Sequence, residues 1–286
     1  MKRSLTVLAL LVAAAAAGTA WYLHNKQPQR EGELALAQLQ APVRVHYDER
    51  GVPHIQAQSE ADLYRALGFV HAQDRLFQME MLRRLARGEL AEVLGSQLVD
   101  TDRLFRTLGI RAHADAYAQK VDPNSPATQA LQAYLDGINQ YQASRPAPLE
   151  FDLLGIAPRP FSIADTLSVG GYMAYSFAAA FRTEPVLSYV RDQLGADYLR
   201  VFDLDWHPQG VVGQPLSAGD WQDLGAIARL SHAALADAGL PQFEGSNAWA
   251  LSGSRTASGK PLLAGDPHIR FAVPAVWYEA HLSAPG

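Results

Sequence analysis

FEGSNAWALSGSRTASGKPLLAGDPH, residues 243–268, is the stretch on which the fold turns. A serine stands directly after a glycine. An apolar run comes next, then a turn at Ser258-Gly259, a second apolar run and Asp266-Pro267-His268. Apolar runs of this length on either side of a turn predict two β-strands. Neither G-x-S-x-G nor S-x-x-K surrounds Ser246. A serine hydroxyl is a poor nucleophile without a base in reach. In an intact chain its nearest carbonyl is that of Gly245. Attack there turns the amide into an ester, and water then cuts the chain. Gly245 tolerates the backbone angles such an attack needs. The cut leaves Ser246 with a free α-amine of pKa about 7.7–8.0, close to where a general base works best. Ser246 would then carry its own base. A plain turn serine is the competing reading of these residues alone.

Composition narrows the classes. The 286 residues are 48% apolar and carry a net charge of -5, with lysine and arginine scattered. That argues against a nucleic-acid partner. With no cysteine, disulfides, thiolate metal sites and a cysteine nucleophile are excluded. H-E-x-x-H, the phosphate-binding G-x-x-x-x-G-K-[ST] and G-x-G-x-x-G are all absent. Asp203 and Asp205 form an isolated D-x-D, read as a solvated turn. His46 and His54 are expected on neighbouring strands.

At the N-terminus, Lys2 and Arg3 precede an uncharged, mostly apolar stretch from Ser4 to Leu23. It reads as an export signal, with Gly18-Thr19-Ala20 for cleavage. It also reads as a retained anchor, since about 20 residues span a bilayer and Trp21 and Tyr22 suit the interface. Either places the remainder outside the cytoplasm. We therefore set residues 1–23 apart as signal or anchor.

Residues 24–42 read as a polar connector. VRVHYDERGVPHIQA, from Val43, predicts a β-hairpin turning at residues 48–51. Ser59 opens a helix with a capping-box shape, Asp62 standing in for glutamate. Leu63, Leu67, Val70, Asp74, Phe77 and Met81 fall at helical spacing up to Arg87, with one charge, Asp74, on the apolar stripe. Asp102–Lys120 and Ser125–Ser144 also read as helices. RPAPLEFDLLGIAPRPFS reads as extended, and Ile163–Leu194 as one or two well-buried helices. Residues 207–245, rich in Gly, Pro, Ala, Ser and Asp, read as a linker. NAWALSG, KPLLAG and AVWYEAHLS then read as strands. Three strands would leave a bare sheet edge, which predicts that the chain is part of something longer.

Two blocks together carry a resemblance. GSNAWALSGSRTASGKPLLAGDPH resembles the start of the catalytic chain of the penicillin acylase family of N-terminal-nucleophile hydrolases. VRVHYDERGVPHIQAQSEADLYRALGFVHAQDRLFQMEMLRRLARGELAEVLG resembles the start of the small chain. The pattern Asp-x-x-Gly-x-Pro-His-Ile falls on Asp48, Gly51, Pro53, His54 and Ile55, and Gln-Asp-Arg-Leu-Phe-Gln-Met on Gln73–Met79.

This resemblance implies an α+β fold, the αββα sandwich of that superfamily. The chain would supply a mostly helical small-chain region (24–206), a spacer (207–245) and the first strands of the catalytic chain (246–286). It implies self-cleavage between Gly245 and Ser246, with Ser246 as nucleophile. His268, which is histidine in cephalosporin and acyl-homoserine-lactone acylases and glutamine in the penicillin G branch, would support the Ser246 amine. Met173, Phe177 and Ile269 resemble acyl-pocket positions, and Glu184 a ligand for structural calcium. Gly265-Asp266-Pro267-His268 departs from the family's Asn-Asp-Pro-His at its first residue. The family's oxyanion hole and further calcium ligands would lie beyond Gly286. The implied activity is hydrolysis of a linear amide through a serine ester. The partners would be a small-molecule amide and the chain's own catalytic remainder, in an extracytoplasmic or periplasmic setting. A non-catalytic exported module keeping the scaffold and a conventional-triad serine hydrolase are the competing readings.

Overall fold

The structure, a computed structural model, describes residues 2–177, 180–202, 223–230, 233, 243–269 and 271–285. In chain order its elements begin with α1 (Lys2–Asn25), β1 (Arg44–Tyr47), β2 (Pro53–Gln56) and α2 (Glu60–Arg87). Five helices come next: α3 (Ala91–Leu94), α4 (Val99–Leu108), α5 (Ile110–Ala118), α6 (Pro126–Ser144) and α7 (Leu149–Leu154). Then come α8 (Ile163–Phe177), α9 (Ala180–Tyr189), β3 (Phe243–Leu251), β4 (Leu262–Ile269) and β5 (His281–Ser283). This is a mixed, largely helical α+β chain. It divides into two compact units, residues 1–81, 116–166 and 277–286 in the first, and 82–115 and 167–276 in the second.

The first unit is built on the hairpin and α2. The Asp48 carboxylate accepts from the amides of Arg50 and Val52, both at 2.9 Å. These bonds, Val52's foremost, hold it below the usual carboxylate range. Gly51 takes φ +77° in the turn, a conformation that favours glycine. Ile55, Ala57, Leu63, Ala66 and Val70 form a buried cluster flanked by Val43, Val45, Tyr47 and Tyr278. Ser59 caps α2 through the amide of Asp62, at 3.2 Å. Asp62 does not complete the expected box. Fully buried, it accepts from the amides of Gln40 and Ala41 at 3.0–3.2 Å, pinning the connector to the helix. α2 and α6 cross at two glycines. A Cβ on Gly68 would lie 1.9 Å from the Tyr134 carbonyl oxygen, and one on Gly137 1.9 Å from that of Arg65. α6 begins as expected, with Ser125 accepting from the Thr128 amide.

Three of the predicted elements have different bounds or partners. The run read as one helix over 102–120 is two, because Gly109 adopts a left-handed φ of +73° and ends α4. The proline-punctuated stretch read as extended contains α7, closed by Gly155 at φ +65°. Of AVWYEAHLS only His281–Ser283 is a strand, and it joins neither β3 nor β4. It pairs in parallel with β2, His54 to His281 and Ile55 to Leu282, giving the order β1-β2-β5. Tyr278 and Ala284 pack on the β2–α2 cluster, so apolar burial draws this segment there.

In the second unit, Phe105 lies between Tyr172 and Tyr175, at 5.9 and 5.4 Å between ring centroids. The Asp102 carboxylate accepts from the amides of Leu90 and Ala91, both at 2.8 Å, and so opens α3. Arg87 donates to Asp115 at 3.0 Å and to Ser168 at 3.3 Å. α8 buries Ser168, Tyr172 and Ser176 but exposes Met173 and Phe177, so it is one-sided rather than well buried. The linker reading of 207–245 and the Asp203/Asp205 pair lie mostly outside the described residues, though 223–230 is helical and β3 already begins at Phe243.

Candidate active site

Ser246 sits within β3, which runs unbroken across the Gly245–Ser246 bond. β3 pairs antiparallel with β4: Gly245 faces His268, Ser246 faces Pro267 and Asn247 faces Asp266, with a register irregularity between Phe243 and Gly245. Gly245 has φ +154°, which residues with a Cβ rarely adopt. Nothing crowds the position where a Cβ would go, so the backbone angle alone sets the preference for glycine. The Ser246 Oγ donates to the Gly245 carbonyl oxygen at 2.6 Å. The hydroxyl thus rests against the carbonyl of the bond preceding it, and Ser246 is exposed.

His268 lies directly across the ladder from Gly245. Side chains alternate between faces along a strand, so the register puts the His268 ring on the face opposite the Ser246 side chain. The ring bonds Asp266 instead, Nε2 to Oδ2 at 2.8 Å, with both side chains about half exposed. Residues two apart on a strand share a face, so the pair follows from β4 continuing through Asp266 to Ile269, past the KPLLAG run predicted as a strand. Asp266 is the neighbour of His268 that the sequence did not single out.

The other predicted positions are not gathered round Ser246 by any described contact. Met173 and Phe177 are one turn apart on α8 and 39% and 47% exposed, a small apolar face open to solvent. Ile269 ends β4. Glu184 stands on α9 just before Pro185. Its charge adds a minor pull on Arg191, which is held chiefly by Asp192 and raised above its usual range. Calcium takes six to eight oxygen ligands. Among the described residues no three His, Asp or Glu side chains gather to hold a metal, so Glu184 is a single carboxylate and does not make a calcium site with its described neighbours.

The sequence matches the penicillin amidase family over residues 42–286. This chain belongs to that family. Its relatives include the penicillin acylase 2 proenzyme of Pseudomonas sp. (strain SE83), 39% identical over 90% of this chain and 34% of that protein. The acyl-homoserine lactone acylase QuiP of Pseudomonas fluorescens (strain Pf0-1) is 30% identical over 96% of this chain and 35% of that protein. Among solved structures, a thermostable penicillin G acylase from Alcaligenes faecalis is 29% identical, with a TM-score of 0.45, covering 62% of this chain and 97% of that one. This family member spans about a third of the length of the two curated relatives.

Proposed function

We propose that this chain is the N-terminal portion of a self-cleaving amidohydrolase of N-terminal-nucleophile type, with the αββα sandwich completed by further chain. One observation carries the reading: the Ser246 hydroxyl lies 2.6 Å from the Gly245 carbonyl oxygen, at a glycine of positive φ. In the cleavage, Oγ attacks the Gly245 carbonyl carbon, and the hydroxyl proton passes to the departing amide nitrogen as the C–N bond breaks. An ester between Gly245 and Ser246 remains. Water hydrolyses it, leaving a Gly245 carboxylate and a Ser246 hydroxyl with a free α-amine.

That amine then serves as the general base for the same hydroxyl. The serine attacks a substrate's amide carbonyl, the leaving amine takes the proton, and water releases the acyl group from the ester. The register supports a positioning role for His268, because the amine is released where Gly245 had faced it, and Asp266 orients the imidazole. Residues 24–206 would form the body of the first chain, whether or not residues 1–23 stay attached to it, 207–245 the spacer and 246 onward the second. The two would persist as a heterodimer outside the cytoplasm. Acyl-homoserine lactones or other aliphatic amides are the favoured substrates, on His268 and on the names of the lactone acylase relatives. Met173, Phe177 and Ile269 would contribute to the acyl pocket. Calcium enters only through the family resemblance, with Glu184 as one ligand.

The test is Ser246→Ala in the full-length protein. The parent is expected to split and yield a chain beginning Ser-Asn-Ala-Trp by N-terminal sequencing, and the variant to remain whole. A variant that still splits at this bond would overturn self-cleavage. A parent that never splits would favour the non-catalytic module.

A further inference from the structure

The foot of α1 is bonded to a rigid, exposed apolar loop. Lys26, just past the end of α1, donates to the Ala147 carbonyl oxygen at 2.7 Å and pairs with Asp152 at 2.5 Å, its own side chain only 13% exposed. The Tyr22 hydroxyl also donates to Asp152. Asp152 belongs to α7, and the chain continues from it as Leu153-Leu154-Gly155-Ile156-Ala157-Pro158. This segment is pegged at two points. Phe151 and Ile156 are 2% and 5% exposed, and the Ile156 amide closes the loop on the Phe151 carbonyl at 2.8 Å. Further on, Asn139 brackets Phe161, accepting from its amide at 2.7 Å and donating to its carbonyl at 2.9 Å. Between the pegs Leu153 is 74% and Leu154 38% exposed, with Ala157 and Pro158 also exposed. Leu153, Leu154, Ala157 and Pro158 thus place a run of apolar residues outward on one short segment, and contiguous apolar surface marks a protein or membrane contact where single exposed residues do not.

The same contacts identify the partner. α1 is long and apolar enough to cross a bilayer over Thr6–Asn25, with none of that span buried. Lys2 and Arg3 head it, the side that stays in the cytoplasm. Its other end is Trp21, Tyr22 and Lys26, an interfacial set, and two of these three hold α7. A helix crossing the membrane would therefore bring Leu153 and Leu154 to the headgroup level beside it. We propose that α1 is retained as an anchor and that the α7 loop, through Leu153 and Leu154, dips into the outer surface of the same bilayer. Such a second, shallow contact is the kind that an interfacial apolar segment makes. It would fix the orientation of the first unit on the membrane rather than let it swing from a tether. This rests on the exported placement proposed above and is independent of the chemistry at Ser246.

Residues 1–286 contain no cysteine, so an introduced one is the single labelling site within them. Leu153→Cys and, as control, Ala127→Cys would be labelled with an environment-sensitive fluorophore in the chain reconstituted into phosphatidylcholine–phosphatidylglycerol vesicles. Ala127 is exposed at the start of α6, whose opposite end leads to Ala147. A helix of this length separates its ends by roughly 25 Å. Nitroxide-labelled lipids are expected to quench position 153 several-fold more than position 127. Equal quenching would overturn the loop contact, as would a label at 153 shielded from both lipid and water, which would mean that protein covers the loop. Intact mass of the protein extracted from its native membranes tests the anchor. Loss of residues 1–20 overturns it. Chain splitting at Ser246 is expected to be unchanged in Leu153→Asp, so failure here and failure of the proposed function are separable.

Discussion

The sheet β1-β2-β5, with strands of 4, 4 and 3 residues, and the ribbon β3–β4, with strands of 9 and 8, could hardly be treated more differently. The first lies on α2, with Ile55 fully buried and a stripe of small and apolar side chains beneath it. The second exposes Trp249, Leu251, Leu262 and Leu263, the last at 82%. Two strands alone are marginal in water, so the ribbon draws little stability from its own faces. Stability is thus concentrated in one region and the proposed reactive residues in the other. Substitutions in the first should move folding, and those in the second should move chemistry.

The sharpest way to break that division is at the α2–α6 crossing. Gly137→Ala puts a methyl onto the Arg65 carbonyl, and backbone cannot step aside cheaply. A loss of about 3 kcal/mol or more is expected by urea denaturation. A variant as stable as the parent would show that the helices do not approach so closely.

His71 gives an effect of similar size that depends on pH. Its Nδ1 is 2.5 Å from the Tyr134 hydroxyl and its ring stacks on Tyr278 at 4.4 Å. Burial, helped by the nearby Arg75 charge, lowers it from 6.5 to about 4. The folded state keeps the imidazole neutral while the unfolded chain takes up a proton near 6.5. Stability is therefore full above that pH and declines as pH falls towards about 4, by roughly 3 kcal/mol in all. The denaturation midpoint of His71→Gln should fall less than the parent's between pH 7.5 and 4.5. Parallel declines would remove His71 as the cause.

Tyr278→Phe removes the 2.8 Å bond to Asp74, leaving, among the described residues, Arg30 at 3.7 Å on that carboxylate's other oxygen. A cost of about 1–3 kcal/mol is expected. Faster amide exchange should appear at Ala57, whose N–H donates to the Ser283 carbonyl. Unchanged exchange there would mean that Tyr278 does not hold β5. Leu263→Ser on the ribbon closes the series. At 82% exposure it should shift the stability of this chain by no more than about 0.5 kcal/mol. A loss above about 1 kcal/mol would show that the ribbon has a packing face after all.

Much of the first region was legible. The hairpin turn, the Ser59 cap, the helix from Ser125 and the placing of His46 and His54 on neighbouring strands arise from local chemistry, because a turn or a cap involves residues a few places apart. Asp74 stands out on the apolar stripe, but its partner Tyr278 lies 204 residues away, beyond the reach of local pattern. Gly109 and Gly155 ended helices where apolar spacing suggested continuity or none. At the candidate site, Ser246 and His268 were legible as residues, but the Asp266–His268 pair needed β4 to be a strand, and the facing of His268 to Gly245 needed its register.

What the sequence alone determined is the serine, the glycine before it and the apolar N-terminal stretch, each resting on residue identity within a short window, and, through the resemblance of two long and widely separated blocks, the family. What only the tertiary structure decided is the destination of each segment. β5 went to β2 because Tyr278 and Ala284 found apolar burial there, α1 was tied to α7 through Asp152, and the Ser246 hydroxyl came to rest on the Gly245 carbonyl. These are contacts between groups that sequence spacing does not relate, or torsions that residue names do not set, and packing resolves both at once.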